Sequence, residues 1–219
     1  MGLFSKKKYP EFWKAYESTF SEKLPQQIEE NRFVVFDTET TGLNPSEDKL
    51  LSMGAVSLQN NKIVVGNSFE VFITQEKFNR ETVSIHGIRK QGNLQKIPEA
   101  EAVQRFLEYI GNSILVAHHT PFDVTMINRA LKSMQLPKLK NRLIDTAQLY
   151  AMLLGKPQQP VSLDALCKEL KVAQHDRHNA LGDALITAQV FQKILKRLQK
   201  ERTVKLHDLL METQHTKLF

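Results

Sequence analysis

The stretch Phe33-Val34-Val35-Phe36-Asp37-Thr38-Glu39-Thr40-Thr41-Gly42-Leu43 decides how this chain is read. Its first four residues are β-branched or aromatic and predict a short strand buried on both faces. Side chains alternate along an extended segment, so Asp37 and Glu39 project to the same side. Gly42 and the Asn44-Pro45 pair end the strand in a turn. Two carboxylates held ~4 Å apart at an effective dielectric of ~20 repel by roughly 4 kcal/mol. A cation is the natural third party, and a ligand set made only of oxygens points to Mg²⁺ or Mn²⁺. An acidic pair of this kind can equally cap a turn, so the rest of the chain has to decide.

The 219 residues suit one domain, with room for extensions. A hydrophobic fraction of 41% and a charged fraction of 25% are ordinary for a soluble globular protein. The net charge of +6 and pI near 9.3 permit a polyanionic partner without requiring one. The single cysteine, Cys167, excludes an intrachain disulfide and a cysteine-based zinc cluster. Its spacing from Leu163, Leu166 and Leu170 predicts a thiol in a helix core. No apolar run approaches the ~18–20 residues of a membrane span, and the N-terminus has no signal-peptide core. A cytoplasmic protein is the expectation.

Residues 1–30 read as an N-terminal helical extension. A basic run, Lys6-Lys7-Lys8, precedes Tyr9, Phe12, Trp13, Tyr16 and Phe20 at helical spacing. That stripe either packs on the protein's own domain or a dimer partner, or offers a stacking platform for single-stranded nucleic acid. Leu24-Pro25 ends the helix. Two strands are expected at 50–58 and 62–73, joined by a hairpin turn at Gln59-Asn60-Asn61. Residues 82–88 read as a loop carrying His86-Gly87-Ile88. Pro98 opens a helix whose apolar face is Ala102, Val103, Phe106, Leu107 and Ile110. A buried strand at 114–117 runs into His118-His119-Thr120-Pro121-Phe122-Asp123 and a helix to about residue 134. A short strand follows at 142–145, with Asp145-Thr146 capping the next helix. After a loop at 155–160 come helices at 162–170 and 179–199, and then a C-terminal tail, 201–219. Strands first, then strands alternating with helices, predict a mixed α/β sheet covered by helices.

Two more acids stand where such a sheet places its chemistry. Asp123 opens a helix at the carboxyl end of a strand. Asp183 shares a helix face with Ala180 and Thr187. The small residues Ala180, Gly182 and Ala184 would let that helix approach the sheet and carry Asp183 to the strand acids. His178 falls at or just before the start of this helix.

In order, Asp37-Thr38-Glu39-Thr40-Thr41-Gly42, His118-His119-Thr120-Pro121-Phe122-Asp123 and His178-Asn179-Ala180-Leu181-Gly182-Asp183 resemble the three motifs of the DnaQ-like 3′–5′ exonucleases. These are the DEDDh group, named for four acids and a histidine. The Ser162-Leu163-Asp164-Ala165-Leu166-Cys167 segment and the His86-Gly87-Ile88 loop are similar to the DNA polymerase III epsilon branch. The resemblance spans about residues 31–200 and implies a ribonuclease H-like fold, a five-stranded mixed β-sheet flanked by α-helices. It implies that Asp37, Glu39 and Asp183 hold a first divalent ion, with Asp37 bridging to a second. Asp123 would support that second ion directly or through water, and His178 would be the general base. Two Mg²⁺ or Mn²⁺ ions supply the hydroxide, the in-line geometry and the charge that phosphodiester hydrolysis needs. Thr40, Thr41, Gly42 and Leu43 would meet the terminal nucleotide, with Leu43 wedged against a base. Phe122 would stack or pack, and His86 would approach the substrate. His119 stands where the family often has Asn.

The expected reaction is release of nucleoside 5′-monophosphates from the 3′ end of DNA, as a proofreading subunit beside a replicative polymerase or as a free-standing nuclease. An exoribonuclease acting on RNA 3′ ends or short oligoribonucleotides is the alternative. A nuclease-dead binding module would have lost a motif acid, and none is missing. The end Gln214-His215-Thr216-Lys217-Leu218-Phe219 faintly resembles a sliding-clamp-binding peptide.

Overall fold

The run Phe33 to Phe36 is apolar on both faces because its strand lies inside the sheet, covered above and below. A computed structural model describes residues 8–76, 79–90, 94–155, 159 and 161–214, without side chains at 80 and 211–214. The basic run at Lys6-Lys7, most of the loop at 155–160 and the clamp-like end at 214–219 therefore lie outside the described residues or side chains. In chain order the elements are α1 (Glu11–Ser18), β1 (Arg32–Thr40), β2 (Leu50–Gln59), β3 (Lys62–Ile73), α2 (Arg80–His86) and β4 (Lys96–Ile97). They continue with α3 (Glu99–Ile110), β5 (Ile114–Ala117), α4 (Thr120–Ser133), β6 (Leu143–Asp145), α5 (Thr146–Leu153), α6 (Leu163–Leu170), α7 (Ala180–Glu201) and α8 (Leu206–Gln214).

The described strands form one sheet in the order β4-β3-β2-β1-β5-β6. β1 is antiparallel to β2, and β2 to β3, while β5 and β6 run parallel to β1. The sheet is mixed and helix-flanked, as expected. A sixth strand is added to the five by β4, two residues that pair parallel with Phe72 and Ile73. Two residues carry no periodicity to read. The β2–β3 turn puts both Asn60 and Asn61 at positive φ, 48° and 56°, as a two-residue hairpin requires.

The pleat of β1 divides the core. Phe33 and Val35 face a cluster built with Leu149, Tyr150, Leu166, Phe191, Ile194 and Leu209, from α5, α6, α7 and α8. Val34 and Phe36 face the other, with Trp13, Val103, Phe106, Leu107 and Ile127 from α1, α3 and α4. The aromatic stripe of α1 therefore packs on its own domain. Trp13 and Tyr16 are buried, and the Tyr16 hydroxyl donates to Asn141 Oδ1 at 2.6 Å. At the other end, Leu206 and Leu209 of α8 are buried in the first cluster, and Leu206 N donates to Gln26 O at 2.9 Å. The segment after the long helix thus folds back onto the body, with Leu206, Leu209 and Leu210 against the first cluster.

Residues 82–88, expected as a loop, are mostly helical. α2 has no apolar periodicity. Its ends are nevertheless closed locally: the Asn79 side chain accepts from Glu81 N, and Gly87 ends the helix in the left-handed region at φ 69°.

Candidate active site

β1 ends at the carboxyl edge of the parallel part of the sheet, and its last odd residues continue the face that meets α7. Asp37 pairs in register with Gly54 of β2. A Cβ built on Gly54 would lie 2.2 Å from the backbone N of Leu181 and 2.3 Å from the carbonyl carbon of Ala180. α7 therefore rests its first turn directly on the sheet beside Asp37. Ala180 and Ala184 are buried there, as expected of small residues. Gly182 has another duty, because its Cα faces the Asp176 backbone of the preceding segment. Three residues into α7, Asp183 joins the strand acids. Asp37, Glu39 and Asp183 bring carboxylate oxygens within 4.8 Å of one another.

Asp123 is buried nearby but lies outside that group. It comes from α4, on the opposite face of β1. There its Oδ1 accepts from Thr38 N at 3.0 Å and Thr38 Oγ1 at 2.6 Å. The intervening Thr38 of the Asp-Thr-Glu triplet thus ties the fourth acid to the strand.

This concentration of negative charge shows in the protonation energetics. Burial, then Asp123, Asp183 and Glu39, hold Asp37 well above the ordinary carboxylate range. Burial, then Asp183 and Asp123, push Glu39 up to about 7. Burial likewise raises Asp123 to about 7, against the lowering effect of its Thr38 hydrogen bonds. All three shifts say that the anionic forms lack sufficient positive charge from the protein itself.

Arg177, a residue outside the four motif acids and the histidine, brings a cation to these carboxylates. Its Nη1 pairs with Asp183 Oδ1, and its Nη2 and Nε reach Asp164 Oδ1 on α6, each at 3.0 Å. Asp164, with a largely exposed side chain, is therefore a strut for Arg177. The only signal was position, an arginine immediately before His178. His178 has φ 62° and precedes the helix cap Asn179, so it stands just before α7 as expected. Its backbone N donates to Asp183 Oδ2 at 3.0 Å, while its side chain is exposed.

The remaining expected residues separate into two places. Thr40 and Thr41 are buried, with Thr40 Oγ1 donating to Gly42 O and Thr41 Oγ1 to Asp48, whereas Leu43 is 86% exposed. Phe122 is partly buried against the α3–α4 cluster. His86 ends α2, and its Nδ1 accepts from Ile88 N at 3.0 Å. His118 bonds Thr146 Oγ1 at 3.0 Å through Nδ1, and burial with His119 beside it lowers it to about 3. A neutral, half-buried imidazole of this kind is structural. Asp145 does more than cap α5: besides Ala147 N it accepts from Thr120 N at 3.0 Å, tying the start of α4, and with it Asp123, to β6.

An exonuclease family, RNase_T, matches residues 34–191, which contain all three motifs. The chain belongs to the DnaQ-like 3′–5′ exonuclease family. Among its relatives is the DNA polymerase III subunit epsilon of Buchnera aphidicola, 37% identical over 173 residues, 74% of this chain and 69% of that protein. The PolC-type DNA polymerase III of Clostridium perfringens is 35% identical over 185 residues, 82% of this chain. The chain spans only 12% of the length of that relative. In fold it is similar to Exonuclease X, solved in complex with 5′ overhanging duplex DNA. The TM-score is 0.63 and the identity 24%, over 83% of this chain and 99% of that one. Among the described residues, no helix of this DnaQ-like chain is long and apolar enough to cross a membrane.

Proposed function

We propose that this chain hydrolyses the terminal phosphodiester bond at the 3′ end of single-stranded DNA and releases nucleoside 5′-monophosphates. The observation that carries this reading is the convergence of Asp37, Glu39 and Asp183 with their oxygens within 4.8 Å. The donors are hard oxygens alone, which fits Mg²⁺ or Mn²⁺. The raised affinities of Asp37 and Glu39 for protons mark the charge deficit that such ions would relieve. Two divalent ions, when bound, supply a nucleophilic hydroxide near neutral pH and stabilise the entering and leaving oxygens.

Asp37, Glu39 and Asp183 would hold the first ion. Asp37 and Asp123 would hold the second. Thr38 orients Asp123 and favours its anionic form, against the effect of burial, by donating two hydrogen bonds to one of its oxygens. His178 takes the proton of the attacking water. Its exposed imidazole sits on a segment whose backbone N–H is anchored to Asp183, so base and metal ligand move together. Leu43, Thr40, Thr41 and Gly42 receive the terminal nucleotide, with Phe122 and His86 beyond the acids.

Kinship with DNA polymerase III proteins supports DNA over RNA, and supports work beside a polymerase. The test is a time course with Mg²⁺ on 5′-labelled single-stranded DNA, matched RNA, duplex DNA and a duplex with a 3′ mismatch. Progressive shortening of single-stranded DNA from its 3′ end, with mononucleotide products, is expected. Faster loss of the RNA would transfer the reading to an exoribonuclease. Full activity in the presence of a chelator would sink the metal mechanism.

A further inference from the structure

The loop after β1 presents a large apolar side chain to solvent from well-bonded backbone. Leu43 is 86% exposed, while Thr41 and Asp48 on either side are 1% and 8% exposed. The Asp48 carboxylate accepts from Thr41 Oγ1 at 2.8 Å and from Asn44 N at 2.9 Å. Thr41 in turn exchanges hydrogen bonds with the Lys49 backbone, donating from its N at 3.0 Å and accepting at its hydroxyl at 3.1 Å. A Cβ on Gly42 would lie 2.5 Å from Asp48 Oδ2, so the turn is drawn onto this carboxylate as closely as glycine allows. From α4, Arg129 reaches across and donates to Asp48 O at 2.8 Å and Ser46 O at 3.0 Å.

What lies behind the loop shows why these bonds matter. An open groove of about 560 Å³ runs between it and α4, lined by Ser46, Asp48, Leu50, Met126, Arg129 and Ala130 among others, and Arg129 bridges it. On that side loop and helix are tied by the two hydrogen bonds of Arg129. Its geometry depends on the polar clamp.

We propose that Asp48 and Arg129 are positioning residues that hold Leu43 out as a rigid apolar contact for the terminal base, and so set affinity for the 3′ end rather than the rate of bond cleavage. The inference rests on the reading of Leu43 given under the proposed function. A turn whose backbone is ordered before binding loses less freedom on binding, and a contact remote from the reacting bond acts on ground state and transition state alike. The carboxylate suits the task because it accepts from a hydroxyl and a backbone amide at once, on the two sides of the turn.

The experiment measures steady-state kinetics on a 5′-labelled single-stranded oligonucleotide. The variants are Asp48→Asn, Arg129→Ala and Leu43→Ala, alone and as the pairs Leu43→Ala/Asp48→Asn and Leu43→Ala/Arg129→Ala. Thermal melting is followed by circular dichroism, and Arg129→Ala, on a different element, carries the test where Asp48→Asn fails to fold. Each single variant is expected to raise KM about tenfold, the worth of one charge-assisted hydrogen bond for the two clamp changes and of one base contact for Leu43→Ala, with kcat within about twofold of wild type. The pairs are expected to add little beyond Leu43→Ala, because both changes remove the same contact. Unchanged KM in folded Arg129→Ala, additive losses in the pairs, or a fall confined to kcat would overturn the inference. If wild-type protein degrades no 3′ end, the proposed function has failed instead; if it does so and KM ignores the clamp, this inference alone has failed.

Discussion

Gly54 is a sharp place to test how the site is built, because it has no side chain that could take part in the reaction and yet sets the position of Asp183. Gly54→Ala adds one methyl group where the backbone of Leu181 stands 2.2 Å away and ordinary contact begins at 3.4 Å. Neither partner is a flexible side chain: one is a central strand, the other the first turn of a 22-residue helix. The helix start must therefore recede by about 1 Å, and Asp183, in that turn, must recede with it. Overpacking of this kind costs ~1–3 kcal/mol. For a chain of this size that lowers Tm by roughly 2–12 °C. The effect on function should be far larger. Metal–ligand distances tolerate only about ±0.2 Å, and a ~1 Å misplacement typically costs ~10²-fold in rate. Exonuclease turnover and Mn²⁺ affinity by calorimetry should both fall by at least that factor in a protein still folded at 20 °C. Gly66→Ala, where a Cβ meets nothing within 4 Å, is the control and should change neither. Gly54→Ala with wild-type Mn²⁺ affinity and turnover would show that the first turn of α7 does not position the ligands.

Three further outcomes follow from the same geometry. Glu39 and Asp123 bind their protons more tightly in the folded protein than in the unfolded chain. The stability they contribute is thus complete below about 4 and is lost as pH rises through about 7. In chelator, Tm should fall between pH 5 and 8, and Asp37→Asn should flatten that fall and raise Tm at pH 8 while abolishing activity. An unchanged slope in Asp37→Asn would count against the raised proton affinity of Asp37 as one of its sources. His178→Ala should lower kcat by ~10²–10⁴, and wild-type turnover from neutral to mildly acid pH would remove it as the base. Trp13→Ala should cost ~3–5 kcal/mol, the usual loss for a buried aromatic. An unaltered melting curve would mean that residues 1–30 are an appendage after all.

The chemistry of this chain was legible wherever it depends on local geometry. A period of two puts Asp37 and Glu39 on one side of any strand, and a helical period puts Asp183 on a face with Ala180 and Thr187, all three of which are buried. Local rules likewise place Asp145 as a cap and His178 ahead of its helix. α2 escaped the reading because its stability signals are its two ends, Asn79 and Gly87, rather than an apolar stripe.

By itself, then, the sequence determined the strand with its two acids, the order of the motifs and the family they belong to, since each is a property of neighbours along the chain. Only the tertiary structure decided that Gly54 opens the space for α7, and that Arg177 bridges Asp164 and Asp183. It also decided that Asp123 answers to Thr38 from the far face of β1, and that Asp48 and Arg129 grip the Leu43 turn. These are contacts between residues that strand register and helix docking bring together. A glycine, an arginine or an aspartate carries no mark of its partner until the chain has folded.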